Sequence, residues 1–340
     1  MYRNLFTYLY SILLLTVLSL APCIIQPVSA QDFLPSLGDA RSGTDGFQFI
    51  KIMVDPRSAA LSGSNAADAM DGSSLYWNPA LASQAPKNEF MGSHTAYFAD
   101  ISMEYFSYIH HFDWITIGGS VQFLNSGSIE ETTEFEPLGT GRTFRTNHIS
   151  AGITASQKLT ESFSYGLTLR YITERIEELK NSTGAIDFGF FYSVGETGAR
   201  FSVGVSNFGI DATPSGSTQR QTLDGDLVED NFEDVTVPTR FNLALAYDLV
   251  DGERNKFMIT TQVTNVSDNS ELLSLGGEYS FLDQFFIRTG FQLGRDELSL
   301  PSAGAGIKLP VSQKIFNFDY SFTTFDRLDS IHRVALRLSF

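Results

Sequence analysis

The segment "RFNLALAYDL", residues 240–249, alternates strictly between two kinds of side chain. The large apolar group consists of Phe241, Leu243, Leu245, Tyr247 and Leu249, and the small or polar group of Arg240, Asn242, Ala244, Ala246 and Asp248. A period of two places successive side chains on opposite faces, so this segment is a β-strand and not a helix. Its apolar face needs either a protein core or lipid.

The same pattern recurs along the chain, as in "SFSYGLTLRY" (162–171), "AIDFGFFYSV" (185–194) and the final "HRVALRLSF" (332–340). A β-sandwich or a soluble barrel would show the same alternation, so alternation alone leaves these folds open. We expect strands at 88–97, 101–111, 114–125, 145–158, 162–175, 183–194, 199–208, 237–249, 255–267, 270–280, 284–294, 301–309, 314–324 and 330–340.

Three features favour a membrane barrel over those alternatives. The strand number is even, the 29 phenylalanines crowd the apolar faces, and the long connections, near 126–144, 209–236 and 294–301, all fall on one side. Outer-membrane barrels share these properties. The expected fold class is therefore all-β, a transmembrane antiparallel up-and-down β-barrel of about 14 strands with an N-terminal plug segment.

Residues 1–30 have the layout of a secretory signal peptide, with one early cation, an apolar run and small residues before a cleavage point after Ala30. The single cysteine, Cys23, would leave with the signal, and the mature chain would contain no thiol. Export together with a barrel predicts the outer membrane of a Gram-negative bacterium, where lipid and lipopolysaccharide surround the protein. The formal charge of −16 argues against nucleic acid, whose phosphates need clustered cations.

Residues 31–87 form the expected plug segment, and residues 88–340 the barrel. The segment is rich in Ala, Ser and Gly and has no strand period. A short helix is expected within 58–70, and Pro79 is suited to begin another. The lumen positions we identify are too small to fill a barrel of this size: Gly166, Ala185, Gly189, Ala244 and Gly276. The alternative is a periplasmic linker, which would leave the side chains of 75–77 in water.

The last strand ends on Phe340. A closing strand must pair with the first strand to remove the barrel's edges. Outer-membrane proteins commonly end in an aromatic residue that the barrel assembly machinery reads, and Phe340 is our candidate for that signal.

The chain shows little sign of catalysis, and we predict no enzyme activity and no catalytic, cofactor or metal site. The adjacent His110 and His111 point to opposite faces of a strand and do not make a chelating pair. Two acidic loops suit either divalent-cation binding or a solvated surface. Their acids are Glu130, Glu131, Glu134 and Glu136 in one, and Asp211, Asp224, Asp226, Glu229, Asp230, Glu233 and Asp234 in the other.

The stretch "FIKIMVDPRSAALSGSNAADAMDGSSLYWNPALAS" (49–83) resembles the amino-terminal signature of the PorV/PorQ family, which is similar to the wider group of FadL-like barrels. It departs from the usual pattern at Met70 and Leu81. The resemblance continues through 129–144, 263–281 and 326–340, so it covers nearly all of the mature chain. The candidate motif residues are Arg57, Gly63, Asp71, Tyr76, Trp77, Asn78 and Pro79.

The resemblance implies an accessory role in type IX protein secretion, either as a scaffold or as a shuttle that binds the carboxy-terminal domains of cargo. The expected partners are then type IX secretion components or cargo carboxy-terminal domains. An alternative is passive transport of hydrophobic small molecules, as in FadL-like channels. A purely structural barrel is a third interpretation. The sequence does not distinguish a PorV-like from a PorQ-like member.

Overall fold

The structure is a computed structural model that describes residues 46–132, 136–177, 179–216, 219–221, 227–229, 232–294, 301–325 and 330–340. The predicted signal peptide and the first part of the predicted plug segment lie outside these residues. In the described part of the chain, no helix is long and apolar enough to cross a membrane.

Eighteen strands occur in the described residues, and fourteen of them close into one antiparallel barrel. The expected fold class is confirmed, and each of the fourteen predicted segments corresponds to a barrel strand. The barrel strands are β1 Glu89–Ala96, β2 Ser102–His111, β3 Thr116–Asn125, β6 Thr146–Lys158, β7 Phe163–Ile176, β8 Leu179–Ser193, β9 Ala199–Gly209, β12 Arg240–Asp251, β13 Asn255–Val266, β14 Asn269–Phe281, β15 Phe285–Leu293, β16 Ser302–Val311, β17 Lys314–Thr323 and β18 Ile331–Ser339.

The remaining four strands form two small hairpins in long connections at one end of the barrel. Strands β4 Ile129–Glu130 and β5 Thr143–Phe144 pair with each other, and so do β10 Gln219–Gln221 and β11 Leu227–Glu229. Alternation does not reveal such short strands. At the other end, tight turns join β2 to β3, β14 to β15 and β16 to β17. Short turns mark the periplasmic side of outer-membrane barrels, so the two hairpins lie on the outer side.

The barrel closes through β1 and β18, which pair from Glu89 with Ser339 to Ala96 with His332. The backbone N–H of Phe340 continues this ladder and donates to Asn88 O at 2.9 Å. Closure leaves no unpaired strand edge in the membrane, where an unsatisfied backbone group would cost several kcal/mol.

The strand faces follow the alternation in the sequence. In β12, Phe241, Leu243 and Tyr247 are exposed on the outside, where lipid covers them, whereas Ala244 and Ala246 are buried on the inside. The inward face is thus made of small residues that bring another part of the chain close to the wall.

Residues 47–85, which we call the inner segment, supply that other part, and most of their side chains are buried. The segment contains helix α1 Pro56–Ala60, helix α2 Ser74–Trp77 and two 3₁₀ helices, Gln48–Lys51 and Pro79–Gln84. Helix α1 packs against β15–β18, and the second 3₁₀ helix packs against β3 and β6–β8 on another part of the wall.

The helix expected within 58–70 is wrong in its bounds, because α1 begins at Pro56 and ends at Ala60. Asp55 caps its first turn by accepting a hydrogen bond from Ser58 N at 2.8 Å. Ser62 and Gly63 then take positive φ angles of 53° and 75°, which a right-handed helix does not allow. The expected helix start at Pro79 is present as a 3₁₀ helix.

Candidate functional site: the inner segment and the barrel wall

Asn78 joins the inner segment to two strands of the wall. Its Oδ1 accepts from Ala80 N at 3.0 Å and caps the 3₁₀ helix, while Nδ2 donates to Phe190 O at 3.1 Å and to Ser202 Oγ at 3.0 Å. An amide has one acceptor oxygen and two donor hydrogens, so Asn78 is fully satisfied. An aspartate would keep the cap but lose both bonds to the wall.

The two aromatic residues before Asn78 contact a cation from β12. The guanidinium carbon of Arg240 lies 4.7 Å from the ring centre of Tyr76 and 5.2 Å from that of Trp77. Arg240 also donates to Tyr76 Oη at 3.0 Å and to Tyr76 O at 3.2 Å. A desolvated cation over aromatic faces contributes about 2 kcal/mol. Trp77 in turn donates through Nε1 to Asp55 Oδ1 at 3.1 Å, which ties α2 to α1.

A continuous series of ion pairs connects the inner segment to β14, β15, β17 and β18, and we call it the ion-pair chain. Arg57 binds Asp68 within the segment and reaches Glu278 on the wall at 2.9 Å. The chain runs in the order Asp68, Arg57, Glu278, Arg288, Asp319, Arg337 and Asp71, and its links beyond Glu278 measure 2.5, 2.5, 3.0 and 2.5 Å.

The first and last residues named in the ion-pair chain, Asp68 and Asp71, belong to the inner segment, and Asp68 also pairs with Arg200 on β9 at 3.2 Å. The carboxylate of Asp71 accepts a hydrogen bond from Arg337 Nη1 at 2.5 Å. It also accepts hydrogen bonds from Ser73 N at 2.9 Å and from Ser73 Oγ at 2.6 Å. Burial acts to raise the pKa of Asp71, but Arg337 and Arg57 outweigh burial, so its pKa lies below the ordinary value of 3.8. Asp71 is therefore ionised at neutral pH and holds α2 to the last strand.

Wall glycines lie where the inner segment approaches most closely. A Cβ atom at Gly166 would lie 2.4 Å from Pro79 C, and one at Gly189 would lie 2.0 Å from Asn78 Oδ1. A Cβ at Gly290 would lie 2.3 Å from the carbonyl carbon of Leu61. Only glycine fits at such positions, because the backbone of the segment, or at Gly189 the side chain of Asn78, occupies the volume of a side chain.

The structure brings most of the predicted motif residues to this interface. Arg57, Asp71, Tyr76, Trp77, Asn78 and Pro79 all contact the wall, and Trp77 also bonds to Asp55 within the segment.

Gly63 has a different role from the other motif residues, because it ends the turn after α1. Its φ is 75°, and a Cβ there would lie 3.1 Å from Met53 Cε. Phe340 lies apart from the site, at the periplasmic end of β18, with its side chain 46% exposed. The wall partners of the motif were missed from the sequence. Their signal is a charged residue at an inward position, such as Glu278 or Arg288.

A cavity of about 540 Å³ lies at the outer end of the inner segment. Phe49, Ile52 and Met53 of the segment line it together with Leu124 and His148 of the wall. The ring of His148 stacks on Phe49 with centres 5.3 Å apart. A second cavity, of about 370 Å³, lies beside the ion-pair chain near the periplasmic side. Residues of the inner segment line both cavities.

The acidic loops show no metal centre in the part that can be described. Of the predicted loop acids, Glu134, Asp224, Asp226 and Asp230 lie outside the described residues. Glu131 pairs with Arg142 at 2.6 Å. No cluster of three or more His, Cys, Asp or Glu residues that could hold a metal ion occurs within the described ranges.

The fold is that of a 14-stranded outer-membrane barrel with the inner segment in its lumen. The chain resembles the Ralstonia pickettii toluene transporter TbuX with a TM-score of 0.61 and 11% identity over 85% of this chain and 99% of that one. For the Pseudomonas putida toluene transporter TodX, the TM-score is 0.58 and the identity 14%, over 85% of this chain and 99% of that one. For a Pseudomonas aeruginosa FadL homologue, the TM-score is 0.53 and the identity 10%, over 84% of this chain and 98% of that one.

The sequence itself identifies the family. Residues 36–268 match the model of the type IX secretion system protein PorV, and the chain belongs to this family. No curated protein sequence matched the chain. The protein is therefore an outer-membrane barrel of a type IX secretion family, as the resemblance in the amino-terminal signature predicts.

Proposed function

We propose that the protein is a non-enzymatic accessory of type IX secretion that holds cargo at its outer mouth while the inner segment keeps the lumen closed. The observation that carries this proposal is the attachment of the inner segment to the wall through the ion-pair chain and Asn78. A barrel closed in this way serves as a platform, and its outer surface does the binding.

The outer cavity is the proposed contact for the carboxy-terminal domains of cargo. Apolar side chains such as Ile52 and Met53 form its floor, and Lys51 and Glu174 supply charge at its rim. A pocket with an apolar floor and a few polar groups suits an inserted peptide side chain or loop. The other proposed partners, lipopolysaccharide and the barrel assembly machinery, would contact the outside of the barrel.

The test uses photo-crosslinking in intact cells. A photoreactive residue at Ile52, in the outer cavity, should form adducts with secreted proteins that carry type IX sorting domains. The matched control is Trp114, which is 70% exposed in a periplasmic turn. Adducts with cargo at Trp114 but not at Ile52, or at neither position, would contradict the proposal.

The second candidate function is passive transport of hydrophobic small molecules. The partly apolar outer cavity and the likeness to barrels described as toluene transporters favour it. Planar-bilayer recordings of the intact protein and of a variant lacking residues 31–80 distinguish the two functions. Closure by the inner segment predicts low conductance for the intact protein and high conductance for the truncated one, if the truncated barrel folds. Uptake of toluene by liposomes containing the intact protein would favour transport.

A further inference from the structure

Strands β18, β1 and β2, where the barrel closes, are here called the barrel seam. Their outward face carries ionisable side chains in a surface that lipid would otherwise cover. His94 on β1 lies 2.6 Å through Nδ1 from Glu104 Oε1 on β2, and their side chains are 48% and 34% exposed. His332 on β18 lies 2.8 Å from Tyr320 Oη. On the opposite side of the barrel, the fully described strand β12 carries only apolar groups and tyrosine outward from Phe241 to Tyr247. A polar group facing lipid is costly and points to a partner within the membrane.

Strand β1, at the centre of this seam, has mostly small side chains on its outward face. Its outward residues after Phe90 are Gly92, His94 and Ala96. Small residues allow two membrane surfaces to approach closely, and polar residues then bond between them. The seam therefore has small outward side chains at its centre, on β1, and titratable side chains on the strands on either side.

The pairing ladder gives the relative depths of these groups. A row of directly paired residues, one on each strand, begins at Tyr279, two residues from the periplasmic end of β14. It ends at Thr173, near the outer end of β7. The residues between them are, in order, Ile287, Ala305, Tyr320, Val334, His94, Glu104, Phe123 and Ile149. Each step toward β7 thus rises toward the outer side. For strands about 4.8 Å apart and tilted by about 40°, one step rises about 3 Å.

Glu104 and His332 lie at nearly the same depth on either side of β1. Glu104 is one step above His94, or about 3 Å. His332 pairs with Ala96 and lies one step below it, and Ala96 lies two residues, or about 5 Å, above His94. His332 is therefore about 2 Å above His94, within about 1 Å of the depth of Glu104.

We propose that two copies of this chain associate in the membrane through β1, with Glu104 of each copy bonded to His332 of the other. A two-fold axis along the membrane normal beside β1 places β2 of one copy opposite β18 of its partner, so the contact occurs twice. His332 Nδ1 contacts Tyr320, which leaves Nε2 for the partner. Glu104 Oε2 has no hydrogen bond in the described part of the chain. The acid and the imidazole are complementary at matching depth.

The surface further from the axis is also complementary. A groove of about 610 Å³ on the outside of the barrel is lined by Gly119 on β3, Ala151 on β6 and the flanking aromatic residues. The same two-fold axis turns β17 of the partner toward β3. Strand β17 presents Phe318, Tyr320 and Phe322 outward, an aromatic ridge that faces this groove.

The first test is cross-linking in outer membranes. Residues 31–340 contain no cysteine, so one introduced thiol reports one contact. Ala96→Cys with a short bis-maleimide should give a product of twice the monomer mass. Leu245→Cys, outward on the far side of the barrel, is the matched control and should remain monomeric. No product at Ala96, equal products at both positions, or a product of another mass would overturn the proposal.

The second test exchanges the charges and measures association in detergent by sedimentation equilibrium. His332→Glu places two acids opposite each other and should weaken association by about tenfold or more. The double variant Glu104→His with His332→Glu restores opposite groups and should recover association. Heat-modifiable mobility on gels shows that each variant is folded. Equal association of the wild type and His332→Glu, or no recovery in the folded double variant, would refute the pairing.

Discussion

Replacement of Gly166 by alanine tests whether the wall and the inner segment are fitted to each other. Gly166 faces inward on β7, and a Cβ there would lie 2.4 Å from Pro79 C, 2.5 Å from Pro79 O and 2.7 Å from Ala80 N. All three atoms belong to the backbone, so no side-chain rotation relieves the clash. Carbon atoms approach favourably to about 3.5 Å, and the segment must therefore move by about 1 Å.

The cost follows from the hydrogen bonds that this movement stretches. Ala80 O accepts from Ser156 Oγ at 3.0 Å and from Ser164 Oγ at 3.1 Å, and Asn78 makes two more bonds to the wall. A shift of about 1 Å takes these beyond bonding distance. Four bonds at about 1 kcal/mol each give about 4 kcal/mol. The equilibrium between packed and released segment should then change by about two to three orders of magnitude.

Limited proteolysis in detergent measures that equilibrium. Lys51 and Arg57 are tryptic sites within the inner segment, and Arg57 is protected by its ion pairs. Gly166→Ala should be cleaved there far faster than the wild type, because cleavage follows the open population when opening is fast. The matched control is Gly119→Ala, whose added Cβ points to the outside of the barrel, away from the inner segment, and meets no atom within 4 Å. Equal cleavage rates for the two variants, with both barrels heat-modifiable, would refute the reasoning.

Three further predictions concern the ion-pair chain and the lipid face. Glu278→Gln should lower the free energy of unfolding in urea by about 3–5 kcal/mol, whereas Asp251→Asn, in an exposed pair, should change it by less than about 1 kcal/mol. Leu245→Arg should reduce folding yield in lipid at a cost of about 2–4 kcal/mol, whereas Ala244→Ser on the inner face should not; equal yields would reverse the assigned faces. Because the pKa of Asp71 is lowered, its stabilisation is complete above the ordinary pKa of 3.8 and is lost as the pH falls through the lowered value. The stability difference between the wild type and Asp71→Asn should therefore shrink as the pH falls from about 5 to 2, and a constant difference would contradict this assignment.

The barrel was predictable because its strands obey a local rule. Lipid on one side and a packed lumen on the other give every strand the same alternation, and a one-residue slip would reverse its faces. The ends of strands were less predictable. Strand β8 begins at Leu179, before the expected 183, and β12 extends to Asp251 beyond the expected 249. These extensions lie beyond the lipid, where hydrogen bonding alone decides how far pairing continues.

The candidate site was predictable on one side only. The motif around Tyr76–Pro79 stands out because aromatic side chains are unusual among Ala, Ser and Gly. Its partners are far away in sequence, since Arg57 and Glu278 are separated by 221 residues. Pairing of this kind depends on the register of several strands together, and no local pattern contains it. An ionisable residue at an inward position, such as Arg170 or Asp187, is the best available signal for the wall side of such an interface.

The wall and the inner segment together favour permanent closure over gating by release. Withdrawal of the segment would take Arg57 away from Glu278 and Asp71 away from Arg337, and breaking a buried pair costs about 3–5 kcal/mol. It would also separate Asn78 and Tyr76 from their wall partners. A ligand that opened the lumen would have to bind the released state more tightly by the whole of this energy. To change the ratio of released to packed segment from 1:99 to 99:1, a ligand must bind the released state more tightly by about 5.5 kcal/mol. Movement at the outer mouth, where Phe49 and Ile52 border an open cavity, costs far less, and binding there leaves the ion-pair chain intact.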